Sequence, residues 1–514
     1  MTAALTPIDF LLRAAEAFPE GAALIAGERR TSWRELALEA RRLASALAAV
    51  GVAPGDRVAL LLPNARALAV ALWGIPMVGA VAAALGPRHD ETALAAALAH
   101  CNAKVLVADA EHAPAASALA AAFEGRVVDA GAGGAPLRSD ALAWEAFIGT
   151  GDPAFAWRRP ESEGAPLLIV YQSGTGPRAI TYSHRGAALG ALSLILGWGM
   201  ARRALYLWTQ PMTQAGGWSL PWAIAALGGT SLCIGRVTPA SVFQALQAFR
   251  ATHSFGSPAL LQALLAVARA AKRSLRAPAS FLTLAPPTPA LVRDLAAINI
   301  RVTQAWGPAE VHAPALLTDW HGDWDALPDQ AQAAMIAREG VRAPFLAPFA
   351  LLDPGTGREV AADGVSEGEV ALAGELLSPG YWNDPVATAN AFSSGGFRTG
   401  DLAVRHTDGT LEFRELAQGL VAVGGTDVTY AAIAQALTRH PAVAHSAIEP
   451  GPEFGAVAFV DLRPDATATE VELAAHCRTS LGLPADPCQV RLGPLPRSTT
   501  GRIARLRLRA LAGS

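Results

Sequence analysis

Residues 171–184 read YQSGTGPRAITYSH. Ser173, Gly174, Thr175 and Gly176 are small and consecutive, so their backbone N–H groups can close around an anion while two hydroxyls add further donors. Arg178 follows and brings a permanent positive charge. This is the chemistry of a phosphate-holding loop. His184 stands just beyond Ser183, where an imidazole can act as a base or pack against the loop.

Such a loop needs rigid elements behind it. Residues 167–171 (LLIVY) form an apolar strand that runs into it. Upstream, residues 34–50 (RELALEARRLASALAAV) have helical spacing and end at Gly51. Pro54-Gly55-Asp56 is a turn, residues 57–62 (RVALLL) a short strand, residues 91–100 a helix, and residues 104–108 (KVLVA) another strand. The rhythm recurs at residues 229–234 and 300–302. Strand, helix, strand in this order predicts an α/β fold: mostly parallel sheets covered by helices. Residues 131–136 (GAGGAP) have linker composition. Composition changes between about 400 and 420, and residues 471–481 then show a helical pattern. The tail at 495–511 is basic and loop-like before a terminal helix. The expected organisation is a large body over 1–414, a hinge near 415–419 and a small mobile α+β lid over 420–514.

Composition narrows the expected classes. A net charge of −3 is close to neutral, so nothing in it points to nucleic acid or an anionic membrane. The four cysteines are scattered without a CxxC pair, as expected for reduced thiols in a cytoplasmic protein. The N-terminus lacks the basic and apolar regions of a signal peptide. Residues 67–85 (ALAVALWGIPMVGAVAAAL) carry no charge over nearly a bilayer's thickness. Their alanine richness and Gly74, Pro76 and Gly79 favour a buried helix, a turn and a buried strand instead.

Motifs along nearly the whole chain are similar to those of the adenylate-forming superfamily of acyl- and aryl-CoA synthetases, luciferases and peptide-synthetase adenylation domains. They run in order: TSWREL (31–36), GDRV (55–58) with Pro63-Asn64, the 171–184 loop, Pro211-Met212, Ala285-Pro286 with Pro289, WGPAE (306–310), PGYWNDP (379–385), FRTGDL (397–402), Gly424-Gly425 and PRSTTGRI (496–503). The resemblance implies activation of a carboxylic acid with Mg-ATP as an acyl-adenylate, then transfer to the thiol of CoA or of carrier-borne pantetheine. It assigns Glu310 to magnesium, Trp306 to adenine, Asp401 to the ribose, Gly424 and Gly425 to the pantetheine passage, and Arg502 to the place of a catalytic lysine. It puts the acyl pocket near Gln214, Gly217, Trp218, Ser257 and Ala305, where few charges predict a hydrophobic or aromatic acyl group.

The sequence departs from the family pattern mainly at the nucleotide. The 171–184 loop is about two residues short, and Arg178 and Ala179 replace lysine and glycine. Ala309 replaces a threonine. Thr283-Leu284 replaces two glycines, Gln214 a histidine, and Glu415-Leu416 a Gly-Arg pair. Arg502 replaces lysine, and a planar guanidinium does not reproduce a compact ammonium. Weakened ATP use is therefore expected. Two other readings stay open: an ATP-independent enzyme acting on an acyl-thioester by transfer, condensation or hydrolysis, and a non-catalytic binding homologue.

Overall fold

The computed structural model describes residues 3–86, 90–110, 115–131, 136–171, 178–213, 217, 219–392, 396–413, 420–451, 455–463, 465–497 and 502–513. The chain divides into two compact units, one comprising residues 1–348 and 373–395, the other 349–372 and 396–514. The expected hinge at 415–419 lies outside the described residues, as does most of the GAGGAP segment.

The first unit contains the parallel sheets. A seven-stranded sheet runs in the order Leu142–Ala143, Arg126–Asp129, Val105–Ala108, Arg57–Leu61, Val81–Ala84, Pro166–Tyr171 and Ala179–Ser183. Every neighbouring pair is parallel except the last, in which Ala179–Ser183 returns antiparallel along Pro166–Tyr171. A nine-stranded sheet has a parallel centre: Ile300–Trp306, Ala279–Thr283, His253–Phe255, Leu205–Trp208, Thr230–Cys233 and Ala22–Ala26. Antiparallel strands close both its edges.

Local chemistry explains the elements. The helix Trp33–Ala49 starts at Ser32, whose hydroxyl takes the Glu35 N–H while the Glu35 carboxylate takes the Ser32 N–H. This reciprocal cap satisfies two donors that a helix start otherwise leaves exposed. Its apolar stripe, including Leu36, Leu43 and Leu47, is buried. Residues 67–85 form the buried helix Arg66–Met77 and the buried strand Val81–Ala84, as expected. Among the described residues no helix is long and apolar enough to cross a membrane.

The second unit is smaller and mostly antiparallel, with Val457–Leu462 and Gln489–Leu492 pairing in parallel. A four-stranded sheet, Ala350–Leu352, Gly368–Leu372, Phe397–Arg405 and Leu411–Phe413, is antiparallel throughout. A hairpin, Leu420–Val423 with Thr426–Thr429, follows. A three-stranded sheet of Val443–Glu449, Val457–Leu462 and Gln489–Leu492 packs with the helices Tyr430–Thr438 and Glu470–Leu481 around Ile433, Leu437, Val460 and Leu473.

Candidate active site

The strand Pro166–Tyr171 delivers the Ser/Gly/Thr loop at its carboxyl end, where ligands bind open parallel sheets. Ser173, Gly174, Thr175 and Gly176 lie outside the described residues. The chain returns at Arg178, which is exposed, and continues as the sheet edge Ala179–Ser183.

That edge is covered by the segment carrying Tyr381. Thr181 N–H donates to the Gly380 carbonyl at 3.1 Å, and Trp382 N–H to the Ala179 carbonyl at 2.8 Å. Ser378 Oγ donates to the Thr181 carbonyl at 2.8 Å and accepts the Gly380 N–H at 3.0 Å. Tyr381 is thereby fixed against Ile180. Its hydroxyl donates to Glu310 Oε1 at 2.7 Å, and the Arg178 guanidinium lies 5.3 Å from the centre of its ring. Two residues singled out in separate motifs, Arg178 and Glu310, thus meet at a third.

Glu310 is fully buried. A buried carboxylate is costly unless held by donors, and a hydroxyl donating to a charged oxygen is among the stronger hydrogen bonds. Burial, reinforced by the negative charge of Glu310, pushes the Tyr381 phenol far above its ordinary range, so it remains a donor. The backbone around Glu310 is tied as well. The Ala309 carbonyl accepts the Tyr182 hydroxyl at 3.1 Å, and the Glu310 carbonyl accepts the Ser378 N–H at 2.7 Å. Among the described residues no cluster of three or more His, Cys, Asp or Glu could hold a metal. A carboxylate is a ligand type that hard divalent cations take.

His312, two residues on, is a part that sequence reasoning missed. Its Nε2 accepts the Ser183 N–H at 3.0 Å and its Nδ1 donates to the Leu376 carbonyl at 2.8 Å. These bonds fix one neutral tautomer. Burial pushes its pKa down to about 4. The ring lies over Gly186, where an added Cβ would come within 2.4 Å of it, so glycine is required there by close approach. His312 staples the Glu310 loop to the helix His184–Gly197. The only sequence signal was an unassigned histidine near WGPAE.

His184 does not meet this group. It is buried at the start of its helix, with Nδ1 2.9 Å from Thr6 Oγ1, and burial pushes its pKa down to about 4. Trp306 ends the strand Ile300–Trp306 and is 1% exposed, and Ala305 beside it is fully buried. Ser257 is exposed and caps the helix Pro258–Ala270 through the Leu260 N–H. Gly217 is buried against the Met212 carbonyl, whereas Gln214 and Trp218 lie outside the described residues. A small apolar cavity lined by Leu168, Val170, Met212, Thr213, Ser219 and Trp222 flanks that segment. At the altered Thr283-Leu284, the Thr283 hydroxyl donates to the Ala285 carbonyl at 3.0 Å and shapes the turn.

The second unit carries the remaining candidates. Asp401 is buried on Phe397–Arg405, with its N–H donating to Thr399 Oγ1 at 3.2 Å. Gly424 and Gly425 form a two-residue hairpin turn with φ of +57° and +86°. Such a turn requires positive φ at both positions, which accounts for both glycines by geometry. The Arg502 guanidinium lies 4.7 Å from the ring centre of Phe413. Phe413 pairs with Ala403, two residues beyond Asp401.

The sequence profile of the family described as AMP-binding enzyme matches residues 11–382. An acetate/butyrate–CoA ligase of Arabidopsis thaliana is 33% identical, covering 99% of this chain and 95% of the relative. A trans-cinnamate–CoA ligase of Petunia hybrida is 30% identical, covering 99% and 94%. Among solved structures, an anthranilate–CoA ligase in complex with anthranoyl-AMP matches with a TM-score of 0.74 at 20% identity, covering 100% of this chain and 98% of that one. The fold is that of these adenylate-forming ligases.

Proposed function

Because the chain belongs to the AMP-binding enzyme family, we propose that it joins a carboxylic acid to a thiol by way of an acyl-adenylate. The observation that carries this reading is the meeting of Arg178 and Glu310 at Tyr381, beside the end of the loop-bearing strand. A guanidinium and a carboxylate held there suit a magnesium polyphosphate: the cation for phosphate oxygens, the acid for the metal. Magnesium would supply charge neutralisation at the phosphates, and Glu310 would be its protein ligand. The residues fit this limited role.

In this reading the substrate carboxylate attacks the α-phosphorus of ATP, the P–O bond to the β-phosphate breaks, and pyrophosphate leaves. Arg178 offsets charge that accumulates on the transferring phosphoryl group, and Arg502 is the candidate for the role that a lysine holds in the family pattern. Asp401 holds the ribose hydroxyls. A thiol then attacks the acyl carbon and releases AMP, with Gly424 and Gly425 lining its approach. The thiol is that of CoA, in keeping with the names of the relatives, or of carrier-borne pantetheine. The acid is a small hydrophobic or aromatic one, in keeping with the apolar residues around 212–222. All four cysteines are buried and free, which supports a reducing compartment such as the cytoplasm.

Arginine for lysine at 178 and 502, and Ala309 for a threonine, argue for slow use of ATP. Acid-dependent exchange of pyrophosphate into ATP, over an acid panel, tests the reading together with calorimetric titration of Mg-ATP. Slow exchange with at least one acid is expected. Absence of both exchange and nucleotide binding would redirect the search to acyl-thioester substrates.

A further inference from the structure

We propose that Tyr381 is the positioning residue of this site: its hydroxyl aims the Glu310 carboxylate, its ring seats the Arg178 guanidinium, and so it couples metal binding to phosphate binding. The proposal rests on the adenylation reading above.

Four observations carry it. Tyr381 touches both partners, with one hydrogen bond of 2.7 Å and one cation–ring distance of 5.3 Å. Its backbone is held on both sides. The Tyr381 N–H donates to Thr388 Oγ1 at 2.9 Å, and the flanking Gly380 and Trp382 pair with the sheet edge. Thr388 is in turn fixed by its own hydroxyl, which donates to the Asp384 carbonyl at 2.7 Å. Finally, the burial of the two partners differs. Glu310 is fully buried and Arg178 exposed, so the ring spans the boundary between the interior and solvent. A long, flexible arginine on a shortened loop would otherwise sample many rotamers. Stacking on an immobile aromatic face restricts them and leaves the N–H fork free for oxyanions.

The two contacts are separable by substitution. Tyr381→Phe deletes the hydroxyl and keeps the ring. Tyr381→Leu deletes both. Calorimetric titration compares ATP with and without magnesium on each variant, alongside exchange kinetics. For Tyr381→Phe, the gain in ATP affinity on adding magnesium falls about 10- to 100-fold, as for loss of a hydrogen bond to a charged group, while metal-free ATP binds as in the unsubstituted protein. For Tyr381→Leu, metal-free ATP affinity falls as well, and adding Arg178→Ala to it costs little more, because the stacking partner is already gone. KM for the acid is unchanged in both. Arg178→Ala alone leaves the buried core intact and provides the comparison if Tyr381→Leu folds poorly. A purely structural tyrosine would lower the thermal midpoint without altering the magnesium dependence of the folded protein. Equal magnesium dependence in Tyr381→Phe and the unsubstituted protein would overturn the proposal. If the unsubstituted protein itself binds no Mg-ATP, the adenylation reading fails first and the proposal falls with it.

Discussion

Three buried histidines, His184, His253 and His312, set an acid limit on stability. Burial pushes each pKa down to about 4. An unfolded histidine titrates near 6.5, so the unfolded chain takes up these protons first as the pH falls. Their contribution is complete above pH 6.5 and is lost between 6.5 and about 4. A series of thermal midpoints over that window should fall steadily, and His312→Asn should flatten the slope by about a third. An unchanged slope in that variant would show that His312 is not buried and neutral. Arg502 stands where the family pattern has a lysine. If its planar guanidinium slows phosphoryl chemistry, Arg502→Lys should raise the exchange rate by about tenfold or more. A slower Arg502→Lys enzyme would mean that the site is built around arginine.

Among the elements, the terminal helix Arg505–Ala512 depends on charge in an unusual way. Arg505 and Glu449 are both nearly fully buried, with Nε 2.8 Å from Oε1. Arg509 reaches the other Glu449 oxygen at 3.0 Å, and Glu367 bonds both arginines at 3.1 and 2.8 Å. Removing one partner of such a buried pair leaves a charge uncompensated, typically at a cost of about 3–5 kcal/mol. Glu449→Gln should therefore shift the urea midpoint of the second unit strongly, and Glu367→Gln less, since Glu367 is more exposed. Equal midpoints for Glu449→Gln and the unsubstituted chain would contradict this. The sequence reading put a terminal helix after a loop-like tail at 495–511, whereas the helix already begins at Arg505, and its ion pairs, whose members lie 56 to 142 residues apart, gave no local signal. Legibility followed that division. Helix Trp33–Ala49 and strand Arg57–Leu61 were readable because period, cap and turn are local signals. Glu310, Asp401 and Arg502 were singled out through motif resemblance alone. Tyr381 stood inside a recognised motif without a role, because its partner Glu310 lies 71 residues away. His312 gains its role from Ser183 and Leu376, which no periodicity connects to it. The sheet edge Ala179–Ser183 was also missed, since its antiparallel return breaks the βαβ rhythm.

For the whole molecule, the candidate residues fall in two units. The parallel-sheet unit holds the loop, Arg178, Tyr381 and Glu310. The second unit holds Asp401, the Gly424-Gly425 turn and Arg502. Family membership and fold place the chain among adenylate-forming ligases, while the altered loop, Ala309 and Arg502 argue for slow ATP use. Acid-dependent exchange of labelled pyrophosphate into ATP, at saturating magnesium and over acids from acetate to cinnamate, bears on this most directly. Exchange that requires one of the acids, runs slowly, and accompanies Mg-ATP binding by calorimetry is the expected result. No exchange with any acid and no binding of Mg-ATP would contradict it.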